Sequence, residues 1–202
     1  FKIINFLIIY LVSAIPKTII KVFAKQYVAG TTIDESLSIV KNLNNQNLSV
    51  TLDILGEHTK SNNECLVITN NYIEILKQIK DRKLDCNISI KPSHIGTDIS
   101  SNLFIENLHN ILNEAIKSNN FVRIDMENSQ LTDTSINTYK TIKNKNIGIV
   151  LQAYLFRTEN DINNLSENSN IRLCKGIYNE NPSIAIKNPI DININYLKLL
   201  EI

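Results

Sequence analysis

Five apolar runs rich in β-branched residues begin near residues 50, 87, 120, 147 and 171, and an amphipathic stretch follows each of them. This alternation constrains the fold more than any other feature. Near-continuous apolar strands separated by helical patterns mean a parallel sheet covered on both faces. The spacing is close to the roughly 30 residues of a strand–helix unit in a barrel. The runs are SVTLDILGEH, with its β-rich part ending at Gly56, CNISIKPSHIG at 86–96, NFVRIDMEN, IGIVLQAYL at 147–155 and IRLCKGIY at 171–178. Between them Tyr72, Ile75, Leu76 and Ile79 share one helical face, as do Phe104, Leu108, Ile111, Leu112 and Ala115. Weaker helices carry Ile136 with Tyr139 and Ile162 with Leu165, and NINYLKLLEI begins another. Upstream, Thr32 and Glu35 form a capping box ahead of Leu37, Val40 and Leu43. The class is α/β, and the pattern alone fits an open doubly wound sheet or a barrel.

No linker or low-complexity segment divides the 202 residues. Residues 1–46 read as a helical segment and 47–202 as the strand–helix region. A net charge of +1, with no dense Lys/Arg run, gives no electrostatic case for nucleic acid. Cys65, Cys86 and Cys174 form no CxxC pair and leave one cysteine over in any disulfide scheme, which favours a reducing compartment, read as cytoplasmic. His58, His94 and His109 lack metal-ligand spacing, so no bound metal is expected. Ile3–Pro16 is uncharged but shorter than the roughly 20 apolar residues a spanning helix needs. It reads as a core-packing helix ended by Pro16, with a signal-peptide core as the alternative. The first residue is not Met, and the start is expected to have been cut.

Polar residues concentrate where parallel α/β folds place ligands, at the carboxyl ends of the strands. The first run ends in Asp53 and Glu57, and the second in Lys91, Ser93 and His94. The third holds Arg123, Asp125 and Glu127, the fourth Gln152 and Tyr154, and the fifth Arg172, Lys175 and Tyr178. Alternation along an extended strand would put Arg123, Asp125 and Glu127 on one face. It would put Val150, Gln152 and Tyr154 on another. Burying such charges requires counter-ions, which neighbouring strands are expected to supply. A buried ion network that only fixes register accounts for any one of these residues. Five successive strands with polar groups at the same end argue for a ligand site.

The blocks YVAG at 27–30, LDILGE at 52–57, ISIKPSHIG at 88–96, FVRIDMENS at 121–129, GIVLQAYL at 148–155 and RLCKGIYNE at 172–180 resemble, in order, those of the proline dehydrogenase family. The resemblance implies a distorted (β/α)8 barrel of the TIM type that binds FAD without a dinucleotide-binding domain, present here as about five strand–helix units. It also implies oxidation of L-proline to pyrroline-5-carboxylate, with hydride passing to FAD and electrons to a membrane quinone, and hence peripheral membrane association. By the same resemblance Lys91 is the substrate-site lysine and Asp125 the aspartate near the reacting centre. Met126 touches the cofactor through its backbone. Val150 and Gln152 are flavin-ring contacts, and Arg172 is the cation near the ring. Lys175, Gly176 and Ile177 hold the ribityl and phosphate part, Tyr178 lines the same site, and Glu57 is a gate residue. Ile177 stands where the family has a small residue. Rival readings are a flavin-free barrel enzyme acting on a phosphorylated metabolite and an inactive truncated remnant.

The family's remaining strands and its adjacent arginine pair have no counterpart in this sequence, which is therefore expected to be a piece of a longer barrel. Unpaired strand edges invite association. The isolated chain is expected to be poorly soluble or dimeric and not to oxidise proline, and sedimentation with a turnover assay checks both.

Overall fold

The computed structural model describes residues 28–142 and 144–202; the apolar run Ile3–Pro16 and Tyr27 of the YVAG block lie outside them. The described residues up to Leu48 and the stretch Ser49–Ile202 belong to separate compact units. In the first, helix α1 (Ile33–Asn44) opens on the expected capping box. The Thr32 hydroxyl accepts from the Glu35 amide and the Glu35 carboxylate accepts from the Thr32 amide, which satisfies amides that no helical turn can serve. Leu37 and Val40 are its buried face.

The second unit holds β1 (Val50–Asp53), β2 (Cys86–Ile90), β3 (Val122–Ile124), β4 (Ile147–Gln152) and β5 (Ile171–Cys174). All four pairings are parallel, and the strand order is β1-β2-β3-β4-β5. A doubly wound sheet reverses its strand order at a switch point. This sheet has no reversal, so the open alternative falls and the strands form a half-barrel arc.

Helices α2 (Asn62–Asp81) and α3 (Ser101–Lys117) pack on each other and against β2 and β3. The buried positions of α2 are Cys65, Thr69, Tyr72, Ile75, Leu76 and Ile79, spaced three and four apart as one helical face requires. Ser61 and Ser100 cap the two helices with their hydroxyls. Helix α4 (Ser129–Thr141) packs on β4, a short α5 (Thr158–Asn163) follows β4, and α6 (Pro189–Leu199) follows β5 with Pro189 in its first turn. All six residues of β4 are buried, whereas the outermost strands β1 and β5 are partly exposed.

The strands are shorter than the apolar runs that contain them. After β2 the chain turns through a 3-10 segment, Pro92–Ile95, where Pro92 brings no amide to continue a ladder. After Ile124 the Asp125 amide still donates to the Ile90 carbonyl, but its carboxylate then takes the Met126 amide. The expected single face of Arg123, Asp125 and Glu127 therefore ends at Ile124, and the three charges part company.

Arg123 remains on the strand and serves the sheet. Its guanidinium donates to the carbonyls of Asn170 (3.1 Å) and Ile149 (3.5 Å) and stacks over Phe121, 4.8 Å from the ring centroid. It ties β3 to β4 and to the residue preceding β5 by satisfying carbonyls, where counter-ions were expected. Gly148, the second residue of buried β4, provides the space. A Cβ there would collide with Arg123 Nη1 and lie 2.7 Å from both the Asn170 carbonyl oxygen and Phe121. Gly148→Ala is expected to destabilise the fold by about 1–3 kcal/mol through overpacking, read as a lower denaturation midpoint at unchanged slope.

Candidate active site at the strand ends

Just past β2, Lys91 collects the carboxylates of its two neighbouring strands. Its Nζ lies 2.5 Å from Asp53 Oδ2 at the end of β1 and 3.5 Å from Asp125 Oδ2 past β3. Burial pulls the Lys91 ammonium toward deprotonation. The hydrogen bond and charge of Asp53, aided by Asp125 and Glu57, outweigh it, and the net direction is upward. Asp53 is held in turn by Tyr72 of α2, whose hydroxyl donates to Asp53 Oδ1 at 2.8 Å and accepts from the Ile54 amide at 3.2 Å. Periodicity placed Tyr72 in the helix core, as it is, and gave no sign of its polar end.

Arg172 reaches the same region from β5, with Nη2 donating to Ser89 Oγ on β2 at 3.0 Å. The contact spans the concave side of the sheet, because β3 and β4 lie between the two strands. Ser89 precedes Lys91 by two positions, so Lys91, Asp125 and Arg172 approach one rim, as expected. Val150, paired in register with Arg172, is buried, as is Gln152, whose Nε2 donates to the Glu127 carbonyl at 2.9 Å. Met126 is buried, with its amide engaged by Asp125.

The chain after β5 turns at Gly176, where φ is +105° and a Cβ would overlap the ring of Tyr154. Both facts demand glycine. Lys175 is exposed beside it, and Ile177 projects outward at 89% exposure, so its bulk meets no neighbouring packing. Tyr178 turns back to donate to Glu57 Oε1 at 3.2 Å, joining the loop after β5 to the loop after β1. Burial and the adjacent Glu57 raise the Tyr178 phenol, so it remains a donor at neutral pH.

Glu127 departs from the expected ion pairing. It is buried, and its carboxylate accepts from the Ser93 amide (2.7 Å) and hydroxyl (2.5 Å). Burial raises its pKa despite these bonds. Ser93 Oγ also accepts from the His58 amide, and His58 Nδ1 lies 2.7 Å from Asp98 Oδ2. Glu57, His58 and Glu127 bring ligand-type atoms within 4.8 Å of one another, the one set among the described residues that could hold a metal ion. Two members are exposed, and His58 and Glu127 already have partners, so the set reads as the anchor of the loop after β1.

Removing the Ser93 hydroxyl leaves a buried carboxylate short of a donor. Ser93→Ala is expected to cost about 1–3 kcal/mol, measured by chemical denaturation. The hydrogen bond to Asp98 raises His58 above its ordinary 6.5, against a smaller opposing effect of burial. A raised folded-state value means its contribution is complete below the free imidazole value and fades as pH climbs through the folded one. Amide exchange at residues 57–59 is therefore expected to quicken across that rise more than a pH-matched peptide does, and Asp98→Asn is expected to abolish the excess.

A family model described as proline dehydrogenase matches residues 36–183. Proline dehydrogenase 2 of Bacillus subtilis (strain 168) is 36% identical over 183 residues, covering 89% of this chain and 60% of its own length. A proline dehydrogenase of Deinococcus radiodurans is 28% identical over 185 residues, covering 88% of this chain and 60% of its own. The chain thus spans about 60% of the length of these curated relatives. Among solved structures, proline utilization A from Bdellovibrio bacteriovorus superposes with a TM-score of 0.82 at 22% identity, over 91% of this chain and 24% of that one. The likeness covers the half-barrel of consecutive parallel strands. With a family match extending from α1 to beyond β5, the chain belongs to the proline dehydrogenase family.

Proposed function

We propose that this protein takes part in the flavin-dependent oxidation of L-proline to pyrroline-5-carboxylate, with electrons passing on to a quinone at a membrane surface. The observation that carries the reading is the approach of Lys91 and Asp125, just past β2 and β3, with Arg172 reaching the same face from β5 through Ser89. The donor chemistry fits a flavin. Arg172 is bonded to a neutral hydroxyl and keeps its positive charge available on the concave side of the sheet. Lys175 and the Gly176 turn lie beyond it, in the stretch that the resemblance assigns to the ribityl and phosphate part.

When bound, the flavin supplies the hydride acceptor. In this reading the Lys91 ammonium binds the proline carboxylate and orients the ring, while Asp53 and Asp125 keep that ammonium in place and charged. Arg172 offsets the negative charge that develops as hydride leaves the substrate carbon, and it suits the task because guanidinium stays protonated when half buried. Proline's amine gives its proton to solvent, so no strong protein base is needed. Tyr178 and Glu57 close one side of the mouth and exclude water from it. Contact with quinone is peripheral in this reading, as the resemblance implies; no helix among the described residues is long and apolar enough to cross a membrane.

The test uses a form of the protein extended to the length of its relatives. A visible flavin absorption band that L-proline bleaches is expected. Absence of flavin favours an enzyme of another class, and bound flavin that proline leaves unbleached favours a remnant. In the same protein Arg172→Gln is expected to slow flavin reduction by roughly 100-fold, by loss of one preorganised charge. Lys91→Ala is expected to weaken proline binding by about 1–3 kcal/mol, read as a raised KM.

A further inference from the structure

The Lys91 cluster has a foundation outside the strand ends. Tyr72 is wholly buried on the inner face of α2, and its hydroxyl is saturated by two bonds, one to Asp53 Oδ1 and one from the Ile54 amide. Asp53 divides its two oxygens between two partners, Oδ1 for Tyr72 and Oδ2 for Lys91. Tyr72, Asp53 and Lys91 thereby form an unbroken hydrogen-bonded chain from helix core to strand rim. A core position with Tyr72's neighbours (Thr69, Ile75 and Leu76 on the same face) asks only for an apolar ring. The hydroxyl is an extra that desolvation makes costly unless it has a partner to hold.

We propose that Tyr72 is a positioning residue for Lys91, acting through Asp53. The phenol fixes the Asp53 carboxylate at the rim, and the fixed carboxylate determines where the Lys91 ammonium sits and over what pH range it stays charged. Without the phenol, Asp53 is free to rotate toward solvent, and Asp125 at 3.5 Å, with Glu57 farther off, is what remains to favour the ammonium against burial. Burial, with Asp53 beside it, raises the Tyr72 phenol well above its ordinary value, so its proton stays on the oxygen at neutral and mildly alkaline pH. His94, the other titratable side chain beside Asp53 and Lys91, is driven toward its neutral form by burial. The proposal rests on the preceding reading only in giving Lys91 a carboxylate to bind.

The experiment measures acylation of Lys91 by a water-soluble amine reagent, followed by peptide mass spectrometry across a pH series on the whole chain. Tyr72→Phe is expected to move the Lys91 profile to lower pH, so that labelling at a fixed mildly alkaline pH rises severalfold. Asp53→Asn, which keeps the rim isosteric and leaves the core ring alone, is expected to move it further the same way. The double variant is expected to match Asp53→Asn alone, because Tyr72 acts through that carboxylate. A Tyr72→Phe variant that melts earlier yet leaves the Lys91 profile unmoved would make Tyr72 a stabilising residue only and overturn the proposal. A profile that shifts with Asp53→Asn and stays put with Tyr72→Phe overturns it as well. Binding of L-proline is then measured on the same variants in the form extended to the length of the relatives. Shifted lysine profiles with unaltered proline binding uphold the positioning chain and count against Lys91 as the carboxylate site.

Discussion

A parallel sheet whose strands end in charge has to settle that charge within a few ångströms, and here Lys91 does so for three strands at once. One ammonium holds Asp53 from the end of β1 and Asp125 from beyond β3 while itself standing at the end of β2. Desolvation works against it, and the net upward direction of its titration means that the carboxylates win. Removing Lys91 would leave two partly buried carboxylates facing each other without their shared cation, a worse situation than an apolar trio would create. That interdependence explains how irregular loops after three-, four- and five-residue strands are held at a common rim.

The two strand arginines are used in different ways. Arg123 is engaged by carbonyl oxygens and a phenyl face, and a glycine is set aside in β4 to admit it. Arg172, whose strand pairs two registers further along β4, points to a serine hydroxyl. The first is bonded to scaffold backbone, and the second to a single side chain across the concave side.

The sequence made the units, the helix faces and the caps legible because each depends on residues three, four or a few tens of positions apart. Tyr72, Ile75, Leu76 and Ile79 lie on one buried face, and Thr32 with Glu35 caps α1 as read. Strand length was not legible. Apolar residues continue past the ladders, at Met126 and Ala153–Leu155, but ladder pairing stops where a neighbouring strand runs out of partners or a side chain captures the next amide. Nor could spacing reveal the partners of buried charge. Glu127 looks in sequence like an equal of Asp125, yet it is satisfied by Ser93, thirty-four positions upstream. Lys91 and Asp125 were legible as rim residues because they stand at strand ends, whereas Tyr72 carries a polar duty on an apolar-looking face, and no periodic signal marks that.

The charges at the rim also assign different work to the two cations. Lys91 is neutralised locally, so its contribution to an incoming carboxylate is a directed donor more than a net charge. Arg172, with no carboxylate partner among the described residues, contributes the field. With Asp53, Asp125, Glu57 and buried Glu127 all near the mouth, carboxylates outnumber these cations. That surplus suits the ammonium of a zwitterionic amino acid and opposes its carboxylate. In the proposed reading, a further cation facing the same mouth would resolve the opposition. In that reading Asp53, Asp125 and Glu57 would face an amine and Arg172 a redox ring, and among the described residues of this rim carboxylates are the more numerous.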